Sequence, residues 1–209
     1  MAFEQPACQT CESTLISRLF CFSCNAFQPL PREIDLFEVM GLPIAFEIDS
    51  EELEELYQRL SLELHPDFFE TAPEAEKRLS ETALVILNRA YNTLRDSTLR
   101  AGYLLFLLAK DKKLDERTLP VGFLQQMFNM QEALDELLNS DDTAALIRMS
   151  KDLQDRHKKI ETSFVSLFKI IEDSPEDLEK LQQLQTYLNA DRYLRRLVDR
   201  IPENGLLQN

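Results

Sequence analysis

The chain has 209 residues, 44% of them hydrophobic, and carries 37 acidic against 23 basic side chains for a formal net charge of −14. That apolar share supports a packed core and argues against a disordered chain, while only four glycines argue against an architecture of tight turns and hairpins. Residues 31–109 alone hold 16 acidic and 7 basic side chains, and no segment has the basic excess that a nucleic-acid backbone or an anionic membrane surface would need. The longest apolar run, Ala101 to Ala109, falls well short of the ~20 residues that cross a bilayer. Met1 to Pro6 shows neither a leader pattern nor a transit-peptide pattern, so the expected location is cytoplasmic.

Residues 1–30 contain every cysteine and run into the stiff Pro29-Leu30-Pro31 linker. Cys8-x2-Cys11, nine residues, then Cys21-x2-Cys24 is tetrathiolate spacing: each pair brings two sulfurs to one ion, and a return of the chain brings the second pair. A structural zinc ion is expected, with no open coordination position. A redox-active CxxC is the alternative reading, although no βαβ setting surrounds it; chance pairing is another.

Residues 31–109 read as short helix, helix, loop, helix. Ile34, Leu36, Phe37 and Met40 mark a first helix stopped by Gly41. Asp49 or Ser50 caps the next, whose stripe is Leu53, Leu56, Tyr57, Leu60 and Leu64, with Glu51, Glu52, Glu54, Glu55 and Arg59 facing water. Pro66 ends it by forcing residue 65 out of helical geometry. Thr71-Ala72-Pro73-Glu74 has the form of a capping box, after which Leu79, Ala83, Ile86, Leu87, Ala90 and Leu94 recur at helical spacing. The connecting loop contains His65-Pro66-Asp67, which alone is also compatible with an ordinary turn.

Residues 110–209 contain three helical patterns, Val121–Asn139, Thr143–Glu172 and Pro175–Ile201, the last with Ser174 as its expected cap; together they imply a bundle. No strand is expected. On a helical wheel Phe123, Met127, Met130, Leu134, Leu137 and Leu138 form the core face. Leu124, Phe128, Glu132 and Glu136 form a second stripe about 130° away at Phe128. An apolar pair running into two carboxylates has the form of a recognition surface; a Phe128 that fills a groove, or is singly exposed, is the plainer reading. His157, in a charged stretch, is expected to be solvated. No nucleophile–base pair or phosphate-binding loop is visible, so the chain is not expected to be an enzyme.

The motif His65-Pro66-Asp67, flanked by Tyr57-Gln58-Arg59-Leu60 and Asn88-Arg89-Ala90-Tyr91, resembles the J-domain. The stretches Leu56–Phe69, Asn88–Leu105 and Phe123–Glu136 narrow this to the HscB family of J-type co-chaperones in iron–sulfur cluster assembly. That resemblance implies an all-α protein: a tetracysteine zinc module (1–30), a helical-hairpin J-domain (31–109) and a C-terminal three-helix bundle (110–209). It further implies that Arg59, His65, Pro66 and Asp67 engage an HscA/DnaK-type ATPase chaperone. The scaffold IscU would be held by Leu124, Gln125, Phe128, Asn129, Glu132, Glu136 and Tyr187. A general J-domain adaptor for another client, or a zinc/thiol redox protein, are the alternatives. The chain departs from bacterial members in its acidic helix before the motif and in Phe68 after it, where Lys or Arg is usual.

Overall fold

The computed structural model describes residues 6–31, 33–140 and 142–202, so Met1–Gln5, considered above for a leader, lies outside the described residues. The chain divides into two compact units, Met1–Arg100 and Ala101–Asn209.

The first unit begins with a small antiparallel hairpin, β1 (Phe20–Cys21) and β2 (Ala26–Phe27), with Phe20 opposite Phe27 and Cys21 opposite Ala26. These strands correct the expectation of none: two residues are too few for a period-2 pattern to register. Each CxxC closes the same local turn. Glu12 N–H donates to the Cys8 carbonyl at 2.9 Å and Asn25 N–H to that of Cys21 at 2.8 Å, with Glu12 and Asn25 at φ 61° and 56°.

Helix α1 (Leu36–Met40) is capped by Asp35 and stopped by Gly41 in the left-handed region at φ 68°. A Cβ on Gly41 would lie 1.8 Å from the Ile16 carbonyl oxygen, so glycine is what lets the cysteine segment close on this helix end. Ser17 Oγ donates to the Val39 carbonyl at 2.7 Å and Arg18 N–H to that of Glu38 at 3.1 Å. The Val39 carbonyl is thereby given a donor, and that of Glu38, which also accepts from Gly41 N–H at 3.2 Å, a second one.

Helix α2 (Ser50–Glu63), capped by Asp49, buries Leu53 and Leu60 against α3 (Glu74–Arg95). The expected capping box does not form: α3 starts after Pro73 with no side-chain cap. Thr71 is still within the preceding turn, where Ala72 N–H donates to the Phe69 carbonyl at 3.0 Å. Ala83, Leu87, Ala90 and Leu94 are buried as expected, but Leu79 is exposed and Ser80 takes the inward position. Glu54, expected in water, is half-buried and accepts a hydrogen bond from Tyr91. A further helix, α4 (Ser97–Leu108), follows a break at Asp96, whose carboxylate accepts from Leu99 N–H at 2.9 Å; its largely apolar sequence conceals the boundary.

The second unit packs α5 (Phe123–Leu138), α6 (Thr143–Asp173) and α7 (Leu178–Val198) around Met127, Leu134, Leu153, Phe164, Leu181, Leu184 and Leu194. The segment before α5 is pinned to α7, where Asn189 Nδ2 donates to the carbonyls of Glu116 and Thr118 at 3.0 and 2.9 Å. Ser174 is not the cap of α7: Asp177 accepts from the N–H groups of Glu179 and Lys180, a carboxylate serving two donors at the positive helix end.

His157 is likewise not solvated as expected. Its Nδ1 pairs with Asp191, which is fully buried on α7 and also accepts from Arg195 Nε at 2.8 Å; Glu161 lies 3.5 Å from His157 Nε2. Helical spacing along α6 alone cannot show a partner 34 residues away. The Asp191 hydrogen bond foremost raises the His157 pKa, against opposing desolvation. A raised histidine pKa makes the ion pair's contribution complete below the unfolded value of about 6.5 and removes it as pH climbs through the folded value. The thermal midpoint of the second unit is therefore expected to fall as pH rises above about 6.5. His157→Gln should flatten that slope, as read by circular dichroism melts; an equal slope in both proteins would contradict this assignment.

Candidate functional site

Pro66 opens a 3₁₀ turn, Pro66–Phe69, with His65 extended as its cap. The His65 imidazole Nδ1 accepts from Asp67 N–H at 3.3 Å and lies 3.5 Å from an Asp67 carboxylate oxygen. The side chains of His65 and Asp67 are 50% and 81% exposed. The sequence-predicted tripeptide is thus a turn organised by its own first residue that offers a ring, a proline and a carboxylate to an outside partner.

The helices on either side hold this turn by contacts the sequence does not display singly. Ser80 Oγ, buried on α3, donates to the Leu64 carbonyl at 2.7 Å, immediately before His65. Nearer the far end of the hairpin, Tyr57 and Tyr91 stack at 3.9 Å, and Tyr57 Oη donates to Asn88 Oδ1 at 2.9 Å. Tyr91 donates to Glu54, holding that carboxyl below its usual range, with Gln58 adding a second hydrogen bond. Ser80 lies in helical register with Ala83, Leu87 and Leu94, and a polar residue on an apolar stripe was the available signal for it.

Arg59 lies six residues before His65, about one turn from the end of α2, and is exposed. Its guanidinium carbon sits 4.4 Å from the centroid of the Phe22 ring, so the cysteine segment occupies one face of this cation.

The four cysteines converge. Their sulfurs lie within 4.8 Å of one another, with Cys8–Cys24 and Cys11–Cys21 each at 3.7 Å. Desolvation pushes Cys8 up, but N–H groups of Cys11 and Thr10 and the thiols of Cys21 and Cys24 outweigh it and bring its pKa down to about 6. The Ser13 hydroxyl, then its backbone, lower that of Cys11. Burial, then the neighbouring thiols, push Cys24 up to about 12. It is the convergence of four sulfurs that makes this a set able to hold one metal ion.

On α5, Leu124 and Phe128 are 59% and 56% exposed, and Gln125, Asn129, Glu132 and Glu136 are exposed with them. Gln125 Nε2 donates to Asn129 Oδ1 at 2.9 Å. On the expected core face Met127 and Leu134 are buried and Phe123, Met130 and Leu137 half-buried, whereas Leu138, at the end of the helix, is exposed. Tyr187 is placed differently: half-buried on α7, it lines a cleft with Phe123, Gln126, Arg156 and Lys159, which meets the inner side of α5.

Replacing Ser80 by Ala would leave the buried Leu64 carbonyl without this donor, a loss of ~1–3 kcal/mol. Ser80→Ala is expected to lower the unfolding free energy of the first unit by that amount, read as a shift of the denaturant midpoint at unchanged m-value. An unchanged midpoint would contradict the tether.

The DnaJ domain family matches residues 35–103, and the HSCB C-terminal oligomerisation domain family matches residues 119–201. A co-chaperone protein HscB homolog of Shewanella amazonensis is 30% identical over 70% of this chain and 84% of its own. An Arabidopsis thaliana protein described as an iron–sulfur cluster co-chaperone HscB homolog is 28% identical over 81% of this chain and 65% of its own. The crystal structure of human co-chaperone HscB superposes with a TM-score of 0.71 at 26% identity, covering 94% of this chain and 96% of that one. With the exposed His65-Pro66-Asp67 turn on one unit, a three-helix bundle in the other and relatives matched across both, the chain belongs to the HscB co-chaperone family.

Proposed function

We propose that this protein stimulates ATP hydrolysis by a DnaK/HscA-type chaperone and presents to it an IscU-type scaffold during iron–sulfur cluster assembly. The observation that carries the first half is the turn itself: His65 and Asp67 are open to a partner while Leu64 and Ser80 behind them are buried and hydrogen-bonded. The chemistry takes place on the chaperone, and this chain acts as its trigger rather than as an enzyme. Arg59, His65, Pro66 and Asp67 form the chaperone contact.

The scaffold contact is the exposed stripe of α5, with Leu124 and Phe128 as apolar anchors and Gln125, Asn129, Glu132 and Glu136 as the polar rim. A membrane is not needed for either contact, and no helix among the described residues is long and apolar enough to span one.

The ion in the cysteine cluster is zinc in this reading. A zinc–sulfur distance of about 2.3 Å puts the sulfurs of a tetrahedron about 3.8 Å apart, close to the 3.7 Å found. Four sulfur ligands leave no coordination position for substrate, which favours a structural ion over thiol redox chemistry. Unbridged thiols fit a reducing compartment such as the cytoplasm.

Steady-state ATP hydrolysis by the cognate chaperone, with scaffold present, tests this reading. The wild-type chain is expected to accelerate turnover severalfold and Asp67→Ala to abolish that acceleration, with both proteins binding scaffold equally. Phe128→Ala should weaken scaffold binding at least tenfold by titration calorimetry. Stimulation without any scaffold binding would favour an adaptor for another client, and an active Asp67→Ala protein would overturn the trigger assignment.

A further inference from the structure

The cysteine segment does more than sit beside the helical hairpin. From it a line of aromatic rings leads to the exposed turn. Phe22 packs edge-on against Phe20 at 5.8 Å, Phe20 against Phe27 at 5.4 Å, and Phe27 against Phe69 at 5.1 Å. Phe69 is the last residue of the 3₁₀ turn that contains Pro66 and Asp67. At the other end of the line, Phe22 lies against the guanidinium of Arg59 on α2.

The rings lie beside the cysteines that could hold the ion. Cys21 lies between Phe20 and Phe22, and the β1–β2 register that sets Phe27 opposite Phe20 also sets Cys21 opposite Ala26. A two-residue hairpin is not stable alone, so the cluster of four sulfurs is what holds the two strands in this register. The base of the segment is fixed independently on α1 by Ser17, Arg18 and the contact at Gly41. The segment therefore touches the rest of the unit at three separate places: the end of α1, Arg59 on α2 and the end of the turn. Phe20 is buried, whereas Phe68, next to Phe69, is 66% exposed; the turn is held from one side and left open on the other.

We infer that Phe27 and Phe69 are positioning residues: the cysteine module is a brace that sets the His65-Pro66-Asp67 turn, and its hold on the turn depends on the metal-ligated hairpin. This rests on the chaperone-stimulating reading above. Aromatic pairs of this kind contribute modestly, enough to bias a short turn without determining whether the hairpin folds.

The test uses the full chain loaded with zinc and compares Phe27→Ala, Phe69→Ala, the double variant and the conservative Phe27→Leu. Three readouts are taken: zinc content, the His65 imidazole C–H signals by nuclear magnetic resonance, and stimulation of chaperone ATPase with scaffold affinity alongside. In both alanine variants the expectation is one zinc per chain, unchanged scaffold affinity, displaced His65 signals and three- to tenfold weaker stimulation. The double variant should be no worse than either single one, and Phe27→Leu should recover most of the activity. Zinc-loaded Phe27→Ala with wild-type His65 signals and wild-type stimulation would overturn the brace. If the wild-type chain itself gives no stimulation, the chaperone reading fails instead, and the His65 signals alone decide whether the brace exists.

Discussion

The ring of Pro66 denies helical geometry to the residue before it, and His65 accordingly adopts φ −64°, ψ 129°. Much of the first unit follows from that restriction. Helix α2 ends at Glu63, and the Leu64 carbonyl, no longer part of a helical ladder, is met by Ser80 from α3. The freed His65 side chain then turns back to accept from Asp67 N–H, so the motif supplies its own cap. Because α2 stops at this point, α3 can return along it, which brings Tyr57 against Tyr91 and Asn88. The residues that identify the hairpin in the sequence are largely those that close it.

Two sites with different physical character share one chain. The turn in the first unit is polar and small, a shape suited to a brief contact that changes a partner's state. The stripe of α5 in the second unit is apolar at Leu124 and Phe128 and acidic at Glu132 and Glu136, a composition suited to holding a protein surface. In the proposed function, linking the turn to the stripe would raise the effective concentration of the held protein near the chaperone, without either contact having to be tight. The acidity of α2 fits such a division. Glu51, Glu52 and Glu55 are exposed on this helix and, in the proposed function, would repel an acidic partner surface, leaving selectivity to the turn and to the cargo.

Periodicity and spacing revealed most of this architecture because helices and thiolate sites are local signals. Leu53, Leu60, Ala83, Leu87 and Leu94 are buried where a 3.6-residue period puts them, and the four cysteines meet as their spacing requires. What escaped notice depends on contacts distant in sequence. His157 looks like a solvated residue until Asp191 packs across from α7. Ser80 shows in the sequence only as a polar residue on an apolar stripe, and its partner, the Leu64 carbonyl at the end of α2, lies 16 residues away. Tyr187 shares an aromatic character with the α5 stripe, yet the packing of α7 against α6 sends it to another cleft. The cap positions of α3 and α7, Pro73 and Asp177, lie two and three residues beyond the expected Thr71 and Ser174, since a turn or a competing carboxylate claims the backbone first.

That one chain must carry both sites is the central claim, and a mixing experiment tests it most directly. Asp67→Ala protein retains the scaffold surface, and Phe128→Ala protein retains the trigger. Scaffold-dependent stimulation of the chaperone ATPase is measured with each alone and with an equimolar mixture at subsaturating concentration. The account predicts that the mixture stays near the level of Phe128→Ala protein by itself, because trigger and cargo remain on separate molecules. Recovery of wild-type stimulation in the mixture would contradict it.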